Sequence, residues 1–173
     1  MNIFVAGIHG VGKTYLASRV APYVGMTHTS ASKLIKEERA LPTWSKDKHV
    51  IDVGENQLAL AAAVHRHNEV GTRLLLDGHF VLLGESDELI LLEDDVFSTL
   101  SLRSVILVEE DLQMVARRIT DRDQLNVSID HLHAFMMAER GQAQKVCAEL
   151  HIPLTILVSP SPEEFAASVS LST

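Results

Sequence analysis

The sequence has a single cysteine, no apolar run long enough to cross a bilayer, and no surplus of positive charge. Each absence removes a class of protein. Cys147 alone cannot close an intramolecular disulfide, and its apolar neighbours Val146 and Ala148 place it in a helical stretch, as a small core residue. The first residues run from Met1 straight into Asn2 to Ala6 and then Gly7, with no basic leader, so no secretory signal is expected. With no membrane-length segment either, the expectation is a cytoplasmic location and no membrane partner. Lys and Arg number 15 against 23 Asp and Glu, a formal charge of -8. Such a field repels polyanions, so general nucleic-acid binding by counterion release is not expected, whereas a small phosphorylated ligand needs only a local basic cluster.

What is present is an ordinary globular composition, 46% hydrophobic and 22% charged over 173 residues, which is enough chain for one core and one domain spanning 1–173. Asn2 to Ala6 reads as a short strand and Lys13 to Val24 as a helix, with a glycine-rich turn between them. A second strand is expected at Met26 to Thr29, then a helix capped by Ser30 or Ser32, running to about Ala40 and ended by Pro42. Lys46 to Glu69 reads as a long helix with Gly71 as its stop. Arg73 to Asp77 (RLLLD) is a continuous apolar run, the pattern of a strand buried on both faces.

Phe80 to Leu83 and Leu89 to Leu92 flank the polar Gly84 to Glu88 and predict a β-hairpin insertion. Ser104 to Val108 is another buried strand, followed by a helix capped by Asp111 with Leu112, Val115, Ala116 and Ile119 on one face. A helix opened by Ser128 or Asp130 and running to about Leu150, a strand at Pro153 to Val158 and a helix at Ser161 to Val169 complete the chain. Strands alternating with helices predict an α/β fold, three layers with a central parallel sheet, whose ligands gather beyond the carboxyl ends of the strands. Gly7 and Asp77 both stand at such ends.

Gly7 to Thr14 reads GIHGVGKT, a full match to GxxxxGK[ST] placed between strand and helix, the context this phosphate-binding loop requires. In it Gly7, Gly10, Val11 and Gly12 turn backbone N–H groups toward phosphate oxygens, and the helix start at Tyr15 adds the positive end of its dipole. Lys13 is expected to reach the β- and γ-phosphates of a bound ATP, and Thr14 to offer its hydroxyl to Mg2+. Asp77, ending RLLLD, is the second expected Mg2+ contact and a candidate to orient an attacking oxygen, although an aspartate there can also cap a turn. His79 beside it fits a substrate contact or a hydrogen-bonding turn residue. Arg117, Arg118 and Arg122 form a basic cluster suited to clamping a transferring phosphoryl group. The same spacing also fits a solvated face paired with Asp121 and Asp123.

With GIHGVGKT, LLLDGH at Leu74 to His79, the hairpin and VARRITDRD at Val115 to Asp123 in this order, the chain resembles the nucleoside monophosphate kinases. The likeness is greatest to the branch of archaeal adenylate kinases and adenylate-kinase-like small NTPases. The resemblance implies a P-loop NTPase fold of nucleoside-kinase type. It implies a small lid at about 117–128, in which Arg117, Arg118 and Arg122 close over ATP, and an acceptor-binding helical region at about 30–70. Adenine would then lie against Arg117, near Ser159 and Pro160. In SKLIKEER, Lys36 occupies the place where such kinases carry the arginine that grips the acceptor's phosphate, and a lysine lacks the bidentate fork. Lys33, Arg39, Lys46 and Lys48 are possible compensating charges.

The expectation is therefore transfer of the ATP γ-phosphate to a nucleoside monophosphate, AMP first. The alternatives are a kinase of another small hydroxyl or acid, or an ATPase switch whose lid answers to a macromolecular partner. Other constellations fail: His65 with His67 and His131 with His133 are two residues apart on helices and point away from each other. No cysteine pair is available for a zinc site. The glycine turn ends in Lys-Thr, which belongs to phosphate and Mg2+ rather than to a dinucleotide fingerprint.

Overall fold

The computed structural model describes residues 1–40, 52–84, 86–124 and 126–172. In chain order they form β1 (Asn2–Ala6), α1 (Lys13–Val20) with a 3-10 turn at Ala21–Val24, β2 (Thr27–Ser30), α2 (Ala31–Glu38) and α3 (Val53–Glu69). There follow β3 (Leu74–Asp77), β4 (Val81–Leu83), β5 (Leu89–Leu91) and α4 (Asp94–Ser98). The chain continues through β6 (Leu102–Glu109), α5 (Leu112–Asp123), α6 (Ile129–Glu149), β7 (Leu154–Val158) and α7 (Pro162–Leu171). Five strands make one parallel sheet in the order β2-β3-β1-β6-β7, and β4 and β5 pair antiparallel as the expected hairpin.

β1 is central and buried along its whole length, which is why NIFVA shows no polar alternation. Its side chains split between the two faces, as the pleat requires. Ile3 and Val5 join Val108, Leu16, Val115, Phe135 and Phe165 on one side. Phe4 and Ala6 join Leu34, Leu60, Leu76, Leu107 and Cys147 on the other. Helices on both faces of a parallel sheet give the three layers that the alternation of elements predicts. Burial pushes the Cys147 thiol up to about 11, so it stays protonated and packs as a small apolar group.

Element starts follow their caps: Ser30, Asp111, Ser128 and Ser161 each accept a backbone N–H of their helix, and Ser161 forms a full capping box with Glu164. The strands differ from the sequence reading by a residue or two at their ends, β2 beginning at Thr27 and β6 running Leu102–Glu109. α4 is the one element without a counterpart in that reading. It packs through Phe97, stacked on Phe80 with ring centroids 4.3 Å apart, while Phe4 meets both edge-on. The first described residue of the long helix is Val53; Pro42, Lys46 and Lys48 lie outside the described residues. No helix among the described residues is long and apolar enough to cross a membrane.

Candidate active site

The carboxyl ends of β1 and β3 part after Val5 and Asp77, which sit opposite each other, and the candidate site occupies the gap. Gly7, Gly10 and Gly12 adopt φ of 139°, 87° and 101°, so the loop's turns depend on glycine. Lys13 is 7% exposed, and its Nζ donates to the carbonyls of Gly7 at 2.6 Å and Ile8 at 3.1 Å. Thr14 Oγ1 donates to Asp77 Oδ2 at 3.1 Å, so the hydroxyl and carboxylate expected to share Mg2+ lie side by side. These are hard oxygen ligands of the kind Mg2+ selects. Val11 is buried in the core, and Tyr15 faces outward against Arg19.

His28, which the sequence reading did not select, places Nε2 2.7 Å from the same Asp77 Oδ2. It stands on β2 two residues before Ser30, which is opposite Asp77, so both side chains emerge on one face. His79 lies against His9 of the glycine loop, ring centroids 4.2 Å apart, and both rings contact Phe135 of α6. His28 thus touches Asp77, while His9 and His79 stack against each other beside the glycine loop.

The three arginines all lie on the regular helix α5, and only residues 124–128 separate it from α6. Arg117 is 78% exposed on its side chain, 4.0 Å from Asp121, and Arg122 is held by Asp123. The pairs expected of a solvated face are therefore present. Arg118 differs: Nη1 donates to the carbonyl of Gly10 at 3.1 Å and Nη2 to Glu110 at 2.9 Å. Glu110 also accepts from the Ser159 hydroxyl. Burial pushes the Glu110 carboxyl up, but the bonds from Ser159 and the Asp111 N–H, with the Arg118 charge, outweigh that and hold it below its ordinary value. Arg118→Ala is expected to weaken ATP binding about tenfold, a charge-assisted contact's worth. A nucleotide titration checks this, alongside a melting temperature that barely moves because the pair is partly exposed.

Lys36 sits half-buried on α2, with no ion pair among the described residues. Arg39, at the end of the same helix, is occupied by Asn56, Asp52 and Glu55, and Arg66 by Glu38. The sequence reading placed α6 but singled out none of its residues for the site. Glu139 accepts backbone N–H groups from Gly7, Phe80 and Val81, and Arg140 forms a two-pronged pair with Glu109 at the end of β6. A signal was available: Leu132, Phe135, Gln142, Ala143 and Val146 form the buried stripe of α6, and Glu139 is the acid at helical spacing within it.

Three solved structures resemble the whole chain at low identity. A sugar kinase from Janibacter sp. HTCC2649 has a TM-score of 0.58 at 15% identity, over 98% of this chain and 92% of that one. A gluconokinase from Sinorhizobium meliloti 1021 has 0.55 at 13%, over 99% and 90%. An uncharacterized protein from Eubacterium ventriosum ATCC 27560 has 0.54 at 10%, over 99% and 96%. At these identities the likeness is one of fold alone, and it does not single out adenylate kinases. No curated protein matches the sequence. A family model described as an AAA domain, AAA_17, matches residues 6–136, from the last residue of β1 through the glycine loop and Asp77 to α6. That span is well over half of the chain, and the protein belongs to the AAA domain family.

Proposed function

We propose that the protein transfers the γ-phosphoryl group of ATP to a small-molecule hydroxyl or acid, a sugar or sugar acid being the first acceptor to try. The observation that carries this reading is the hydrogen bond from Thr14 to Asp77 across the gap between β1 and β3, with Lys13 next to Thr14 and folded onto the glycine loop. Backbone N–H groups of the glycine loop and the Lys13 ammonium hold the donor phosphates, and release of Lys13 from the Gly7 and Ile8 carbonyls frees its charge for them. Thr14 and Asp77 would hold Mg2+, which would supply neutralisation of the charge on the phosphate oxygens. Asp77, steadied by His28, is also placed to accept the acceptor's hydroxyl proton, and Arg118 braces the outer wall of the loop. The chemistry is positioning and electrostatics, so shape decides the acceptor.

The acceptor side favours a ligand without its own phosphate. A nucleoside monophosphate calls for an arginine fork, and both arginines on the α2 to α3 face, Arg39 and Arg66, are already bound by carboxylates. Lys36 offers a point charge alone. The histidines at 9, 28 and 79 suit hydroxyl groups, and the resemblance in fold to a gluconokinase and a sugar kinase supports the same class. AMP is the second acceptor to try. An ATPase switch is the third reading, marked by slow ATP consumption that no small acceptor stimulates.

The test is ADP formation with Mg2+ against gluconate, other sugar acids, sugars and nucleoside monophosphates, with wild type and Asp77→Asn run together. Acceptor-stimulated turnover is expected, with Asp77→Asn lower by about 10²-fold, the usual loss when one charge-stabilising group is removed. ATP binding with no stimulation by any acceptor would sink the kinase reading.

A further inference from the structure

We propose that Glu139 is a positioning residue for phosphoryl transfer, a buried carboxylate that locks the glycine loop to the segment after Asp77 so that Lys13 and Asp77 address the same phosphate. The inference rests on the phosphotransfer reading above.

The geometry is specific. Glu139 is 1% exposed, and its Oε1 accepts from Gly7 N–H at 3.0 Å, the first amide of the glycine loop. Its Oε2 accepts from Phe80 N–H at 2.9 Å and Val81 N–H at 2.7 Å. Gly7 leaves β1 and Phe80 follows β3, so one carboxylate on α6 holds together two strands that separate just beyond Val5 and Asp77. The last ladder bond before they part is Gly78 N–H to the Val5 carbonyl, at 3.0 Å. Past that point Glu139 does the work of the missing ladder. Only a carboxylate, which accepts and never donates, satisfies three converging N–H groups; a protonated acid or an amide brings a donor into a space lined with donors.

The ionisable groups on the surrounding elements are Lys13 on α1, His9 in the glycine loop, Asp77 and His79 after β3, and the Glu109–Arg140 pair between β6 and α6. Of these, the Lys13 ammonium acts on Glu139 through its charge. Burial raises the Glu139 carboxyl to about 7, although the Phe80 N–H, the Lys13 charge and the Val81 and Gly7 N–H groups all pull it down. The sign follows. The folded value exceeds the unfolded one, so the carboxylate costs stability at pH 8, and that cost shrinks as pH falls below about 7 and is gone below the ordinary value of 4.5. Function needs the ionised form, so the fold and the turnover respond to pH in opposite directions. A side chain serving structure alone would move them together.

The experiment compares wild type, Glu139→Gln and Glu139→Asp for ATP affinity, turnover and melting temperature from pH 6 to 8.5. For wild type, turnover is expected to rise and melting temperature to fall across pH 7. In Glu139→Gln, turnover at pH 8 is expected to drop by about ten- to a hundredfold, the effect of a misplaced reacting group, with ATP affinity within threefold of wild type. The limb near pH 7 should vanish from both of its profiles. Glu139→Asp keeps the charge but falls one methylene short of three N–H groups, so its turnover drops while the limb persists. That result alone supports the proposal if the glutamine variant does not fold. Turnover and pH profiles like wild type in either variant, or failure of both to fold, would overturn it. Wild type that binds no ATP would bring down the phosphotransfer reading and this inference with it, a pattern unlike the failure of the inference alone.

Discussion

Lys13→Ala is expected to lower ATP turnover by about 10²- to 10³-fold, the scale of removing one preorganised charge from a phosphoryl-transfer site. Lys13 is buried, and its ammonium rests on the Gly7 and Ile8 carbonyls of the glycine loop. It is therefore held ready a short swing from where phosphate oxygens would sit. Alanine leaves those two carbonyls without their donor, at a cost of about 1–2 kcal/mol, which lowers the melting point but leaves the protein folded. Turnover should therefore fall far more than stability does. Measured ADP formation within threefold of wild type would mean that the donor phosphates are held somewhere other than the glycine loop.

Gly7→Ala is expected to be the most damaging single methyl group in the molecule. Gly7 has φ of 139°, and an added Cβ would stand 2.2 Å from the Val108 carbonyl oxygen and 3.1 Å from Val11 Cγ2. Val108 belongs to β6, which is hydrogen-bonded to β1, so the backbone of one strand or the loop itself has to give way. Strain and overpacking together are expected to cost about 3–5 kcal/mol. For a chain of this length that is a fall in melting temperature of about 10 °C, with loss of ATP binding because the turn that aims the loop's later N–H groups is displaced. Gly141 is the matched control. It lies inside α6 with nothing within 4 Å of an added Cβ, and alanine there should raise stability by about 0.5–1 kcal/mol. Calorimetry on the two variants tests whether the contacts at Gly7 or the general effect of a side chain is responsible.

The sequence was most legible where the physics is local. GIHGVGKT announces its turn through glycines at fixed offsets, RLLLD its burial through an unbroken apolar run, and Ser161 with Glu164 its helix start through reciprocal caps. Fold class follows from the order of such elements. Less legible was whatever depends on distant residues meeting. His28 and Asp77 are 49 positions apart and become partners only because β2 pairs with β3 in one register. α4 is five residues long, too short for periodicity, and is held by the burial of Phe97. Glu139 touches Gly7 across 132 positions and could be suspected only from its place in an apolar stripe. The arginines of α5 show the opposite limit: their spacing fitted both a phosphate clamp and a solvated face, and only Arg118 reaches the loop.

The position of β1 has a consequence for how the protein is made. The central strand is the one synthesised earliest, and its neighbours come much later: Asn2 Oδ1 accepts from Leu74 N–H, 72 positions further on, and β6 lies beyond that. At translation rates of about 5–20 residues per second, Ile3, Phe4 and Val5 wait about 4–14 s for β3 to be synthesised. Throughout that interval an apolar strand has both edges unpaired, the condition that favours association between nascent chains. The residues that end up most protected are therefore the ones exposed longest during birth, and chaperone contact on the ribosome should fall on Ile3 to Ala6 more than on any later strand.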